Sequence, residues 1–301
     1  MAWFSEEGAP GGLDPRIRAA LDAQGPVPEF RTIPVAQVRA DFDRLAARVP
    51  KQDEPLARVE DAKVAGRVPV RTYTPEGKGP FPTLVYFHGG GWVVGGLESH
   101  DGVCRSLARR APATVVAVDY RLSPEARFPD ALEDGRAVFE WASARGGPVA
   151  VGGDSAGGNL AAALALELRS RVASQLLVYP VTDASFDTAS YREFASGYGL
   201  TRANMRWFWD CYLRTPADAA DPRVSPLRAT DFRGVARAFV MTCEFDVLRD
   251  EGEAYARRLH EAGVPVRCVR YRGMNHGCIR MGALYPRADR ALSDLAAALR
   301  A

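Results

Sequence analysis

The chain has 301 residues, 47% hydrophobic and 25% charged, with a formal net charge of +2. That length suits one large α/β domain or two small ones, and 39 Lys+Arg against 37 Asp+Glu leaves no basic block, so nucleic acid is not an implied partner. No run approaches the roughly 20 apolar residues that span a bilayer, and the five cysteines, without CxxC or metal spacing, read as buried reduced thiols. The acidic start, Met1-Ala2-Trp3-Phe4-Ser5-Glu6-Glu7, lacks an apolar segment and is not read as a secretory signal. A cytoplasmic location is the default expectation.

The first fifty residues read as helical. Asp14-Pro15 is a helix start with proline at the first position. Val35, Val38, Phe42, Leu45 and Val49 recur at steps of three and four, which puts them on one helical face. From about residue 56 the period changes, and residues 67–73 alternate and end at Thr74-Pro75, a strand and turn. Residues 83–87 and 114–119 are continuous β-rich runs, with a helix at about 100–110 between them. A helix at 129–144, a strand at 149–151, a helix at 159–169 and a strand at 176–179 follow. Short apolar strands alternating with helices imply βαβ units and a largely parallel sheet.

Residues 184–223 break that rhythm with eight aromatics, among them Trp207, Phe208, Trp209 and Tyr212, and read as a helical insertion. The alternation resumes with a strand at 238–243, a helix at 251–262, a strand at 266–271 and a last helix near 288–299. Gly263-Val264-Pro265 closes the penultimate helix. The expected organisation is N-terminal cap helices over 1–50, a catalytic α/β domain over 51–183 and 224–301, and a helical cap insertion over 184–223.

Two glycine-rich segments each follow a predicted strand. Gly153-Asp154-Ser155-Ala156-Gly157 matches G-x-S-x-G in the strand–turn–helix setting that a nucleophile elbow needs. A tight turn makes the Ser155 hydroxyl project, and side chains at Gly153 or Gly157 are expected to collide with neighbouring elements. It does not match G-x-G-x-x-G, because Asp154 stands at the second glycine position. His88-Gly89-Gly90-Gly91-Trp92 can supply backbone donors to a tetrahedral intermediate. The expected donors are Gly89, Gly90 and Ala156, with Gly91 holding the turn.

Of four histidines, His88 belongs to the glycine segment, His100 to a helix start and His260 to an exposed helical pattern. His276 follows a strand in Gly273-Met274-Asn275-His276-Gly277 and is left as the base. The acid is expected between serine and histidine in sequence, and Asp246 is best placed. Glu244 lies closer to the strand, and Asp250 and Glu251 read as helix N-terminal caps. No lysine follows Lys78, which excludes a Ser–Lys mechanism.

On these residues the chain resembles the bacterial hormone-sensitive-lipase-like (family IV) esterases, in the branch with a GDSAG motif. His88–Trp92 and Gly153–Gly157 match that family's two signatures. So do Asp119-Tyr120-Arg121-Leu122-Ser123-Pro124-Glu125 with Phe128-Pro129, Asp221-Pro222 with Ser225-Pro226-Leu227, and Asp246-Val247-Leu248-Arg249-Asp250-Glu251-Gly252. The resemblance covers nearly the whole chain. It implies an α/β-hydrolase fold with a cap, a triad of Ser155, Asp246 and His276, and an oxyanion hole of Gly89, Gly90 and Ala156. It also implies hydrolysis of short- to medium-chain acyl esters of small molecules without metal or cofactor, and by analogy a homodimer is an option. One departure stands out: Cys278 replaces the aromatic that usually follows His-Gly, and sensitivity to thiol reagents is expected from it. Two rivals are a ligand-binding receptor on this fold, against which the presence of His276 argues, and an amidase or acyltransferase with the same triad.

Overall fold

A computed structural model describes residues 2–9, 11–50 and 54–301. The strands in chain order are β1 (Phe4–Glu7), β2 (Arg58–Val64), β3 (Val68–Thr74), β4 (Thr83–Phe87), β5 (Thr114–Val118), β6 (Val149–Asp154), β7 (Gln175–Val178), β8 (Ala238–Phe245) and β9 (Val266–Asn275). They form one sheet in the order β1-β9-β8-β7-β6-β4-β5-β3-β2. β2 and β3 run antiparallel, as do β3 and β5, and the remaining neighbours are parallel.

The side-chain period of two sorts the sheet into two cores. Val85 and Phe87 of β4 face one, and Leu84 and Tyr86 the other. The first core is closed by α4 (Asp130–Ser143), α5 (Ala156–Leu168) and α8 (Arg249–Glu261), and the second by α3 (Leu97–Arg110) and α9 (Pro286–Arg300). Both faces of the central strands are thus covered, which explains their continuous apolar runs.

Two strands escape the sequence pattern. β2 is an edge strand whose exposed Arg58, Glu60, Asp61 and Lys63 carry no apolar alternation. β1 lies within the segment expected to be helical. It is short and charged, and it pairs with β9 with Phe4 opposite Cys268 and an ion pair from Glu6 to Arg270 at 3.0 Å. The helices α1 (Pro15–Gln24) and α2 (Val35–Ala46) form as expected, with Asp14 capping α1 through the Arg16 amide. The α2 stripe packs in part: Val38 is buried and Val35 and Phe42 pack against the first core, but Leu45 is 42% exposed and Val49 lies beyond the helix. Arg39 fixes this helix as well, donating to the Val93 and Ser123 carbonyls at 2.9 Å each. The insertion contains α6 (Ala189–Glu193) and α7 (Arg202–Tyr212). The expected boundary at residue 51 lies outside the described residues.

Four strands end one residue before a residue of interest. β4 ends before His88, β6 before Ser155, β8 before Asp246 and β9 before His276. The parallel sheet delivers all four to the same carboxyl edge, where α/β sites are built.

Candidate active site

Ser155 sits in a strained turn at φ 56°, ψ −119°. Its amide donates to the Val178 carbonyl at 2.9 Å, which ties the turn to β7. The glycine requirement has a backbone cause: a Cβ on Gly157 would clash with the Phe87 and His88 carbonyls, and one on Gly153 with the Phe87 carbonyl and Gly157. α5 starts immediately after Ser155, so its N-terminal amides face the same space.

The structure brings the three separated residues together. His276 Nε2 lies 2.9 Å from Ser155 Oγ, and His276 Nδ1 lies 2.8 Å from Asp246 Oδ2. A carboxylate only accepts, so Nδ1 carries the proton and Nε2 is free to accept from the hydroxyl. Asp246 is buried, and its other oxygen accepts from the Leu248 amide at 3.0 Å. The Tyr179 ring packs 4.4 Å from the His276 ring. The cap reaches the same strand ends, because Asn275 Nδ2 donates to the Tyr198 carbonyl at 3.0 Å and Tyr198 stacks on Phe245.

The glycine loop requires a correction. The Gly89 amide is already engaged, donating to Asp154 Oδ1 at 3.0 Å. Among the described residues, the Gly90, Gly91 and Ala156 amides have no protein acceptor. Gly90, at φ +127°, turns the chain, and its carbonyl accepts from the Val93 and Val94 amides at 3.0 Å each. The free donors are therefore Gly90, Gly91 and Ala156 rather than Gly89, Gly90 and Ala156, because Asp154 needs the Gly89 proton.

His88 does hold the loop. Its Nδ1 lies 2.8 Å from the Gly89 carbonyl, so Nδ1 is the protonated nitrogen, and Tyr120 donates to the His88 carbonyl at 2.8 Å. Burial, then the nearby His100 charge, pulls the His88 imidazole down to about 4. His260 is exposed, as expected, and stacks on Trp3.

His100 and Asp154 were not singled out as site residues. Asp154 accepts from Tyr86 at 2.9 Å and meets His100 Nε2 at 3.2 Å. Burial alone would push its carboxyl up, but the electrostatic influence of His100 and the hydrogen bonds from His100 and Tyr86 outweigh it and hold it at about 2. The signal was present in Asp154, the variable position of G-x-S-x-G, but its partner lies 54 residues upstream.

The other downstream carboxylates act as ties. Leu248, not Asp250 or Glu251, is the N-cap of α8. Asp250 accepts from the Ser190 amide at 2.7 Å, and buried Glu251 accepts from the Thr182 amide at 2.6 Å, so both fasten α8 to the chain entering the cap. Burial raises the Glu251 carboxyl well above its ordinary range. Glu244 accepts from the Gly273 amide at 2.7 Å and joins β8 to β9. Cys278 is sealed beneath its turn with Sγ 3.5 Å from Cys243 Sγ, so the expected sensitivity to thiol reagents loses its basis.

This sheet, turn and hydrogen-bonded serine–histidine–aspartate arrangement define an α/β hydrolase. A family model described as the alpha/beta hydrolase fold matches residues 84–280, and the chain belongs to that family. It is 43% identical to the carboxylic ester hydrolase LipN of Mycobacterium tuberculosis, over 79% of this chain and 68% of LipN. It is 38% identical to an ethyl acetate hydrolase of Pseudomonas putida, over 95% of this chain and 98% of that one. A hyperthermophilic esterase from the archaeon Pyrobaculum calidifontis superposes with a TM-score of 0.91 at 39% identity, covering 96% of this chain and 98% of that one. No helix of the described residues is long and apolar enough to cross a membrane.

Proposed function

We propose that this carboxylic ester hydrolase cleaves short- to medium-chain acyl esters of small molecules, with Ser155 as nucleophile, His276 as general base and Asp246 as the group that orients it. Ser155 Oγ attacks the ester carbonyl while His276 Nε2 takes its proton. The carbonyl oxygen, now negative, is held by the Gly90, Gly91 and Ala156 amides. His276 returns the proton to the departing alcohol, and an acyl-enzyme remains. Water then enters through the same base and releases the acid. Asp246 holds the ring in place and stabilises the imidazolium that forms.

The observation that carries this reading is the continuous hydrogen-bonded path from Ser155 through His276 to Asp246, at 2.9 and 2.8 Å. Hydrolysis of p-nitrophenyl esters from acetate to octanoate tests it. Turnover is expected across that series, and Ser155→Ala is expected to lose about 10⁴-fold or more in kcat. Absence of turnover with every ester overturns the substrate class, and an active Ser155→Ala overturns the nucleophile.

A further inference from the structure

We propose that His100 is a buried imidazolium that neutralises Asp154 behind the glycine loop, and that it thereby serves as a positioning residue for the Gly90 and Gly91 amides. The positioning role rests on the oxyanion role given to those amides above, whereas the charge state is argued from hydrogen bonds and burial independently of it.

Ser99 Oγ has one proton to give. It donates to the Gly96 carbonyl at 2.9 Å and accepts from the Gly96 amide at 3.0 Å. With that proton used, His100 Nδ1, 2.9 Å from the same oxygen, has to be an N–H donor. On the other side of the ring, Nε2 meets Asp154 Oδ2 at 3.2 Å, and an ionised carboxylate only accepts. Both ring nitrogens therefore carry protons. The alternative, in which Ser99 turns its proton to Nδ1, strips the Gly96 carbonyl of that donor and leaves a buried carboxylate without a compensating charge.

The surroundings agree. His100 and Asp154 are 2% and 3% exposed. The titratable groups facing them, Tyr86 and His88 on the β4 side, Tyr120 after β5, Tyr179 after β7 and Cys104 on α3, are driven to their neutral forms by burial. Arg280, in the turn after His276, reaches Asp154 only through its field. His100 is thus the cation in hydrogen-bond contact with this anion.

The consequence bears on the proposed chemistry. Asp154 immediately precedes Ser155 and holds Gly89, whose neighbours supply the free amides. A bare carboxylate there would oppose the charge that grows on the substrate oxygen in a low-dielectric site. Paired with His100, it keeps its grip on the loop and loses most of that opposing field.

Two measurements test this. Nitrogen-15 NMR of the native protein near neutral pH is expected to show both His100 ring nitrogens as imidazolium, assigned by their loss in His100→Gln. A neutral tautomer with one bare nitrogen overturns the proposal. Kinetically, His100→Gln keeps a donor to Asp154 without the charge. It is expected to lower kcat about tenfold or more, with KM within about twofold. Binding of a trifluoromethyl ketone transition-state analogue should weaken in parallel. Adding Asp154→Asn removes the uncompensated charge and is expected to recover most of kcat. Native kcat in His100→Gln, or a double variant no better than the single one, overturns the positioning role. Should His100→Gln fail to fold, the ring nitrogens are assigned in the native chain by through-bond correlation to the His100 backbone, and that spectrum decides. Failure of the native protein to hydrolyse any ester would count against the oxyanion reading and would leave the charge state standing.

Discussion

The nucleophile turn and the first two helices are built by opposite means. Around the turn, backbone packs on backbone: the Phe87 carbonyl fills the space beside both Gly153 and Gly157, and α5 is buried along almost its whole length. In the cap, α1 buries only Ile17 and α2 only Val38. Polar links hold these two helices, whereas α7 buries Trp207, Phe208, Trp209 and Tyr212 in the first core. Besides Arg39, Asn204 accepts from the Phe30 amide at 2.9 Å and donates to the Pro28 carbonyl at 3.0 Å. A turn made of main chain cannot yield to an added atom, whereas two helices held by side-chain ties can exchange residues more freely. The contrast is between main-chain packing that fixes the nucleophile and side-chain ties that hold the first two helices.

The sharpest way to break the contrast is to add one methyl to the turn. Gly157→Ala is expected to cost about 3 kcal/mol or more, or to prevent folding, read by denaturant unfolding. A stable, active variant would show that the turn is softer than its packing implies. Next in size, Asp246→Asn leaves the shape of the site intact but should reduce kcat about 10⁴-fold with little change in unfolding midpoint. Near-native activity would move the acid to another carboxylate.

On the cap side the effects are smaller. Arg39→Ala frees the Val93 and Ser123 carbonyls and is expected to cost about 1–3 kcal/mol, with KM rising more than kcat falls. Equal losses in kcat at saturating ester would mean that the cap shapes the transition state as well as binding. The smallest effect concerns pH. Burial, and secondarily the His100 charge, lowers the folded-state His88 to about 4 from its ordinary 6.5. Below 6.5 the unfolded chain takes up a proton that the folded chain refuses, so this contribution to stability is whole above 6.5 and declines as pH falls toward about 4. His88→Asn, whose amide can donate to the Gly89 carbonyl, is expected to flatten Tm across that window. An unchanged slope would assign the acid sensitivity elsewhere.

The same contrast governs what could be read without coordinates. Buried strands write their identity in continuous apolar runs, so β4 to β9 were legible, as were the residues that follow β6, β8 and β9. The structure lengthens those strands to end directly before Ser155, Asp246 and His276, through extensions whose glycine and polar residues interrupt the apolar run. The edge strands β1 and β2 were not legible, because exposed charged residues satisfy an edge as well as they satisfy a loop. The choice among the Gly89, Gly90 and Gly91 amides depends on which proton Asp154 takes, a matter of three-dimensional contact rather than of spacing. His100 was hidden for the same reason: nothing at Glu98-Ser99-His100-Asp101 announces a partner beside the serine.

The first strand has a practical side. β1 occupies only four residues of the ten-residue β9, yet it stands between that strand and the outside. Clipping it away would leave the ladder that carries His276 open along its flank, ready to recruit the flank of another molecule. Truncation from the front is therefore expected to show first as clumping in solution rather than as slower turnover. An affinity handle intended to leave the protein's behaviour alone belongs at the other end, after α9.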